Sequence, residues 1–292
     1  MNLDHFGLDS QALAGSLEAR LRAVREAGLG QIMLSARDIV DHPGGEDAAI
    51  AAVRASGLRV TGFQALRDFE GLSGDLHAYK VDVAKAMLDM CRALGSKMLV
   101  VWSSTSTHAS GERDLLVRDL RKLAMLAVPL GLRVGYEALC WGRHVNEYPQ
   151  AAAIVEDAGR ANLGVVLDSF HILAAGTSLD ELDFMDCDKI FLVQLSDFLW
   201  QDVRTPEERS DTASHYRVFP GEGVHSEALA DLARKLDQMG YRGDYLFEVF
   251  NEDYLQLAPP VVARRAYASA KWVVDHVSRR SLPVRRPAAA PR

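Results

Sequence analysis

Apolar residues recur along this chain in two alternating patterns. Over 10–27, Leu13, Leu17, Leu21 and Val24 fall three or four residues apart and Gly28 supplies a stop, which predicts a helix. Short runs rich in β-branched and aromatic residues then alternate with helix-length segments. The runs are QIMLSA (31–36), LRVTGFQAL (58–66), KMLVVWSS (97–104), VGYEAL (134–139), GVVLDSFH (164–171), FLVQLSDF (191–198) and YLFEVF (245–250). Nearly continuous apolar runs of this length are the mark of strands buried on both faces. The intervening helices are expected at 46–56, 76–94, 112–130, 148–158, 178–185, 226–239 and 260–278. In the second of these Val83, Met87, Met90 and Leu94 share one side and Gly95 closes it, while Pro129 and Gly131 end the third. A first strand is expected in 2–8 (NLDHFGL), although that run is short and holds Asp4 and His5.

Strand alternating with helix eight times, at intervals of roughly 30 residues, predicts a single (β/α)8 barrel of the α/β class over 1–278. The rival is an open doubly wound sheet, which usually places a glycine-rich phosphate loop after its first strand. No GxGxxG or GxxxxGK[ST] occurs there. The connection 198–224 is long for a compact domain, and such connections often act as lids. The tail 279–292, RRSLPVRRPAAAPR, is basic and rich in Pro and Ala and is expected to be a disordered end.

Composition narrows the class. With 48% hydrophobic and 25% charged residues in 292, the chain has the balance of a soluble globular protein with a sizeable core. A net charge of −7 weighs against nucleic-acid or acidic-membrane binding. Cys91, Cys140 and Cys187 are widely separated and form no CxxC pair, so neither a disulfide framework nor a zinc ribbon is indicated, and a reducing cytoplasm is the expected compartment. The N-terminus carries acids and lacks the apolar run of a secretory leader. No uninterrupted apolar stretch approaches the ~20 residues of a membrane-spanning helix.

The chemistry lies in the polar interruptions of the last four runs. Glu137, Asp168, Gln194 and Glu248 each sit near the end of a run, and parallel strands closing a barrel bring such positions to one rim. A carboxylate is rarely buried unless paired or coordinating a metal. Three carboxylates and one amide oxygen form a hard, all-oxygen set that suits Mg²⁺ or Mn²⁺ better than a soft Cys/His zinc site, with Co²⁺ and Zn²⁺ as further candidates. Glu137 and Glu248 are therefore candidate catalytic as well as metal-ligating groups. His171, three residues after Asp168, is a candidate proton carrier, since imidazole titrates near neutral pH. Arg67 and Arg217 lie on loops expected at the same rim and suit a substrate carboxylate. Arg143, His144 and Asn146 follow Glu137; His144 and His215 are further candidates for contact with substrate, Gly221 and Gly223 for a lid, and Trp102 and Trp141 for an apolar wall.

The strings YEALCWGRHVNEY, GVVLDSFHIL, DKIFLVQLSDF, HYRVFPGEG and LFEVFNEDY resemble the sugar-phosphate isomerase/epimerase-like TIM barrels, the xylose isomerase-like superfamily. More narrowly they are similar to the metal-dependent barrel of bacterial 3-dehydroshikimate dehydratases, from FQALRDFEG at 63–71 to about residue 254. The resemblance implies that Glu137, Asp168, Gln194 and Glu248 bind a divalent metal, that His171 works beside it, and that Arg67 and Arg217 contact substrate. The implied substrate is a small carboxylated polyhydroxy ketone, with no nucleic acid or membrane as partner and homo-oligomerisation left open. Some members carry a second, dioxygenase-like domain, and none is expected within these 292 residues. A ketose 3-epimerase or hydroxypyruvate-type isomerase is the alternative, working through Glu137 and Glu248. Against it, such epimerases usually offer a histidine where this chain has Gln194 and an arginine where it has Trp200. A non-catalytic binding barrel and an endonuclease of the related repair barrels stand further off.

Overall fold

The structure is a computed structural model and describes residues 1–280. Eight parallel strands close a barrel in the order β1, β10, β7, β6, β5, β4, β3, β2. They are β1 (Phe6–Asp9), β2 (Gln31–Ser35), β3 (Arg59–Leu66), β4 (Met98–Trp102), β5 (Arg133–Glu137), β6 (Leu163–Asp168), β7 (Ile190–Leu195) and β10 (Tyr245–Phe247). Between β7 and β10, the short strands β8 (Asp197–Phe198) and β9 (Arg217–Val218) pair antiparallel outside the barrel. The expected (β/α)8 barrel is thus observed.

Alternation along each strand decides what faces the lumen. In β4, Leu99 and Val101 join the large outer core shared with the helices, while Met98 and Val100 join a separate inner cluster with Met33, Val166, Leu192 and Leu246. The same period of two directs Asp9, Gln64, Glu137, Asp168, Gln194 and Glu248 inward at the C-terminal ends of β1, β3, β5, β6, β7 and β10. Register aligns them: Gln194 pairs with Asp168 on one side and with Leu246 on the other, and Glu137 pairs with Trp102. Below the rim the lumen is tight. A Cβ on Gly135 would come within 2.6 Å of Val166 Cγ2, and one on Gly164 within 2.6 Å of the Phe191 ring.

Several expected boundaries move. The run read as a strand through 171 stops at Asp168, because that side chain accepts a hydrogen bond from Phe170 N and caps a helix over Ser169–Ala175. His171 therefore lies in a first helical turn. The helix expected at 178–185 is instead a 3₁₀ turn over Leu179–Phe184. The one expected over 10–27 divides into a 3₁₀ turn, Ser10–Ala12, and a helix, Leu17–Glu26, capped by Ser16. An unexpected short helix, Ala36–Val40, follows β2. The long connection is structured: a helix over Pro206–His215 stands between β8 and β9, held by a capping box of Thr205 and Glu208. The last strand ends at Phe247, just before Glu248. Most of the basic tail expected to be disordered lies outside the described residues. Among those described, no helix is long and apolar enough to cross a membrane.

Candidate metal and substrate site

The floor of the site is a layer of buried polar groups at the C-terminal rim. Glu137, Asp168, Gln194, Glu248 and Arg217 are each at most 2% exposed. Arg217 Nη1 donates to Asp168 Oδ2 at 2.6 Å and to Glu248 Oε2 at 2.9 Å, while its Nε donates to Ala213 O at 3.0 Å. Gln194 Nε2 donates to Glu248 Oε1 at 3.0 Å. The ligating atoms of Glu137, Asp168 and His171 all lie within 4.8 Å of one another.

The electrostatics of this layer call for more positive charge than the protein supplies. Burial raises Glu137 above the usual carboxylate range and raises Glu248 well above it. Asp168 is buried just as deeply, yet the Arg217 charge beside it holds it low. One guanidinium and the His171 imidazolium thus serve three buried carboxyl groups. Both oxygens of Glu137 and Oε1 of Gln194 are buried without a hydrogen-bond partner, which is unusual for polar atoms. Unpartnered hard oxygens beside an uncompensated cluster of acids fit a divalent cation, and a dication among them would relieve the burial pressure on all three. Glu137, Asp168, His171, Gln194 and Glu248 are the side chains placed to hold one.

His171 is set at the edge of this layer. Its Nε2 lies 3.4 Å from Glu137 Oε1 and 3.9 Å from Asp168 Oδ2. Its Nδ1 lies 3.2 Å from the backbone N of Cys140 and 3.3 Å from Cys140 Sγ. The amide donates to a bare Nδ1 and the sulfur accepts from a protonated one, so the ring has a partner at Nδ1 in either state. Burial works against an imidazolium here, but the negative charge of Asp168 outweighs it and lifts the ring to about 10. The edge-on Trp141 ring, 5.0 Å away, packs against it.

Above the floor opens a cavity of about 390 Å³, walled by Arg67, Trp102, Ser103, Thr105, Trp141 and His215 among others. The Arg67 guanidinium carbon stands 4.5 Å over the Trp102 ring. The turn beneath Arg67 is fixed by Asp68, at φ 50°, whose Oδ1 accepts from Thr105 N at 2.8 Å and from Ser106 N at 3.1 Å. Glu70, two residues on in that loop, is buried; its Oε1 accepts from Ser104 N at 2.6 Å and from Tyr136 Oη at 2.9 Å. Burial raises its carboxyl to about 7.

The structure brings most of the expected residues together. Glu137, Asp168, Gln194 and Glu248 share the buried layer; His171 and Arg217, in contact with it, line the cavity together with Arg67, Trp102, Trp141 and His215. His215 stands at the mouth with Nδ1 3.0 Å from Asp211 Oδ1. His144 is not among the cavity walls: its Nε2 is 2.9 Å from Ala109 O, and its ring packs on Gly111, where an added Cβ would meet it at 2.6 Å. Arg217, expected on a rim loop, is instead buried at the bottom of the cavity and committed to two carboxylates. Two residues were missed. Gln64 donates from Nε2 to Glu248 Oε1 at 2.8 Å and also to Asp9 Oδ2. Asp9 is fully buried, and burial raises its carboxyl to about 7. The signal for Gln64 was present, a polar residue ending an apolar run; Asp9 was hidden by the weakness of the first strand.

Comparison with known proteins places this geometry among relatives. The model of the xylose isomerase-like TIM barrel family matches residues 21–273. A 3-dehydroshikimate dehydratase from Pseudomonas putida is 36% identical over 245 residues, which cover 83% of this chain and 37% of that protein. An inosose isomerase from Halalkalibacterium halodurans is 34% identical over 197 residues, covering 65% of this chain and 66% of that one. A solved xylose isomerase-like TIM barrel/4-hydroxyphenylpyruvate dioxygenase fusion protein superposes with a TM-score of 0.88 at 32% identity, over 94% of this chain and 44% of that one. The chain thus spans less than half the length of the dehydratase and of the fusion protein.

Proposed function

Because the chain belongs to the xylose isomerase-like TIM barrel family, we propose that it is a lyase converting 3-dehydroshikimate to protocatechuate and water, the activity named for its Pseudomonas putida relative. The observation that carries this reading is a guanidinium wall over an acidic floor: Arg67 borders the cavity under which Glu137, Asp168 and Glu248 converge. A ring carboxylate would meet Arg67 while the ketone end would face the floor. Glu137, Asp168, Gln194 and Glu248 would hold a divalent cation, Mg²⁺ or Mn²⁺ on the hardness of their oxygens. When bound, that ion supplies Lewis acidity toward a ketone oxygen.

The chain's own residues supply the rest. With Nδ1–H donated to Cys140 Sγ and the ring held protonated beside Asp168, His171 Nε2–H gives its proton to the β-hydroxyl, while Glu137 Oε1, 3.4 Å from that nitrogen, takes the proton α to the ketone. The hydroxyl leaves as water, Glu137 returns the proton to His171 Nε2, and the ring becomes aromatic. Stacking on Trp102 limits the rotamers of Arg67 and readies its planar fork for a carboxylate. Arg217 is already engaged by Asp168 and Glu248, so its part is to hold those groups in register.

The test is turnover of 3-dehydroshikimate by protein reconstituted with Mn²⁺, followed as the rise of protocatechuate absorbance. Inosose and ketose substrates form the second arm, since the inosose isomerase relative favours an isomerase as the runner-up. Protocatechuate formation supports the dehydratase. Isomerisation with no protocatechuate would transfer the site to the runner-up.

A further inference from the structure

The six inward polar groups include two that neither bind substrate nor serve as proposed ligands, Asp9 and Gln64. Their hydrogen bonds carry directional information. A glutamine amide has nearly the same shape in both orientations, so only its partners decide which end is N and which is O. Gln64 lies between two carboxyl groups, Asp9 and Glu248, and its Nε2 faces both, with one N–H to an oxygen of each. Its Oε1 is then turned to Gln194 and accepts from Gln194 Nε2 at 3.2 Å. Gln194 spends its second N–H on Glu248 Oε1 at 3.0 Å. All four amide hydrogens are used, and the one amide oxygen left over is Gln194 Oε1, buried and unpartnered.

We infer that Asp9 and Gln64 are positioning residues that set the amide of Gln194 with its oxygen toward the cation site. This rests on the metal-site reading given above. Asp9 itself is anchored, because its other oxygen, Oδ1, accepts from Gln11 N at 2.7 Å. An asparagine there has one acceptor for two donors. Either the Gln11 amide loses its partner, or the Gln64 amide turns over. In the second case its NH₂ faces Gln194, which turns in response and presents N–H groups where a cation requires lone pairs. Supporting groups of this kind typically cost 10–100-fold in metal affinity when altered.

The experiment is calorimetric titration of Mn²⁺ into wild type, Asp9→Asn and Gln64→Met, with melting followed by circular dichroism in chelator to establish that each is folded. Asp9→Asn is nearly isosteric, and Gln64→Met keeps volume while removing both amide functions. The expected result is a Kd for Mn²⁺ raised 10–100-fold in either folded variant. Wild-type affinity in a folded variant overturns the relay while leaving the metal site standing. No Mn²⁺ binding by wild type overturns both the relay and the site on which it rests.

Discussion

Arg217 Nη1 sits 2.6 Å from Asp168 Oδ2 with both side chains almost wholly out of solvent. The contact joins the end of β6 to β9, and through the 2.9 Å contact with Glu248 it reaches the last barrel strand as well. An arginine at a rim loop would be expected to affect mainly substrate affinity. A buried one that neutralises two carboxylates affects the fold. Arg217→Ala is expected to lower stability in chelator by about 3–5 kcal/mol, the usual cost of stripping one partner from a buried pair. Added Mn²⁺ should recover part of the loss by supplying charge to the same acids. Urea denaturation with and without Mn²⁺ measures both; a loss below about 1 kcal/mol in chelator would contradict the assignment.

Asp168→Asn separates chemistry from folding. The asparagine oxygen can still accept from Phe170 N, the 2.6 Å bond that caps the Ser169–Ala175 helix, and asparagine is a good N-cap; its NH₂ then meets Arg217 Nη1, so the variant folds with lower stability. Turnover supported by Mn²⁺ should fall to background while the far-ultraviolet circular dichroism spectrum stays unchanged. Retained turnover would remove Asp168 from the site.

Arg67 offers the opposite test, because it is exposed and its removal leaves no buried charge behind. Arg67→Ala should raise KM for a carboxylated substrate roughly 10–100-fold, the worth of a lost charge-assisted hydrogen bond of about 1.5–3 kcal/mol, with no change in melting temperature. Steady-state kinetics read this directly. An unmoved KM would assign the carboxylate to another group.

Much of this site was legible because buried strands leave few reasons for a polar residue. Glu137, Asp168, Gln194 and Glu248 interrupt apolar runs, and strand alternation alone directs them inward. Gln64 obeys the same rule, two residues after Gly62 on the inward face of β3, and could have been found by it. Asp9 could not, since β1 has only four residues and the polar Asp4 and His5 precede it. What escaped a linear reading was set by tertiary contact. Arg217 is buried because the helix over Pro206–His215 and β9 fold over the barrel end, and His144 turns away because its loop packs on Gly111. That helix carried its own signal in Thr205 and Glu208, a capping box inside a segment read as a long connection without secondary structure of its own.

Glu70 gives a pH dependence with a definite sign. Its carboxyl is raised from 4.5 to about 7 in the folded protein, so the folded state holds the proton more tightly than the unfolded one. The associated stability is fully present below about pH 4.5 and is lost as pH rises through about 7, for a total on the order of 3 kcal/mol. Glu70→Gln keeps an oxygen for Ser104 N and Tyr136 Oη but cannot titrate. Urea denaturation at pH 5, 6, 7 and 8 should show wild type losing stability across this range more steeply than the variant. Parallel curves would mean that Glu70 stays ionised in the fold.

The most direct measurement is an anomalous-scattering map from crystals of the protein grown with Mn²⁺. The account expects one strong peak at the barrel rim, about 2.0–2.2 Å from oxygens of Glu137, Asp168, Gln194 and Glu248. A well-ordered map with no peak there, or with the ion bound by other side chains, would contradict it.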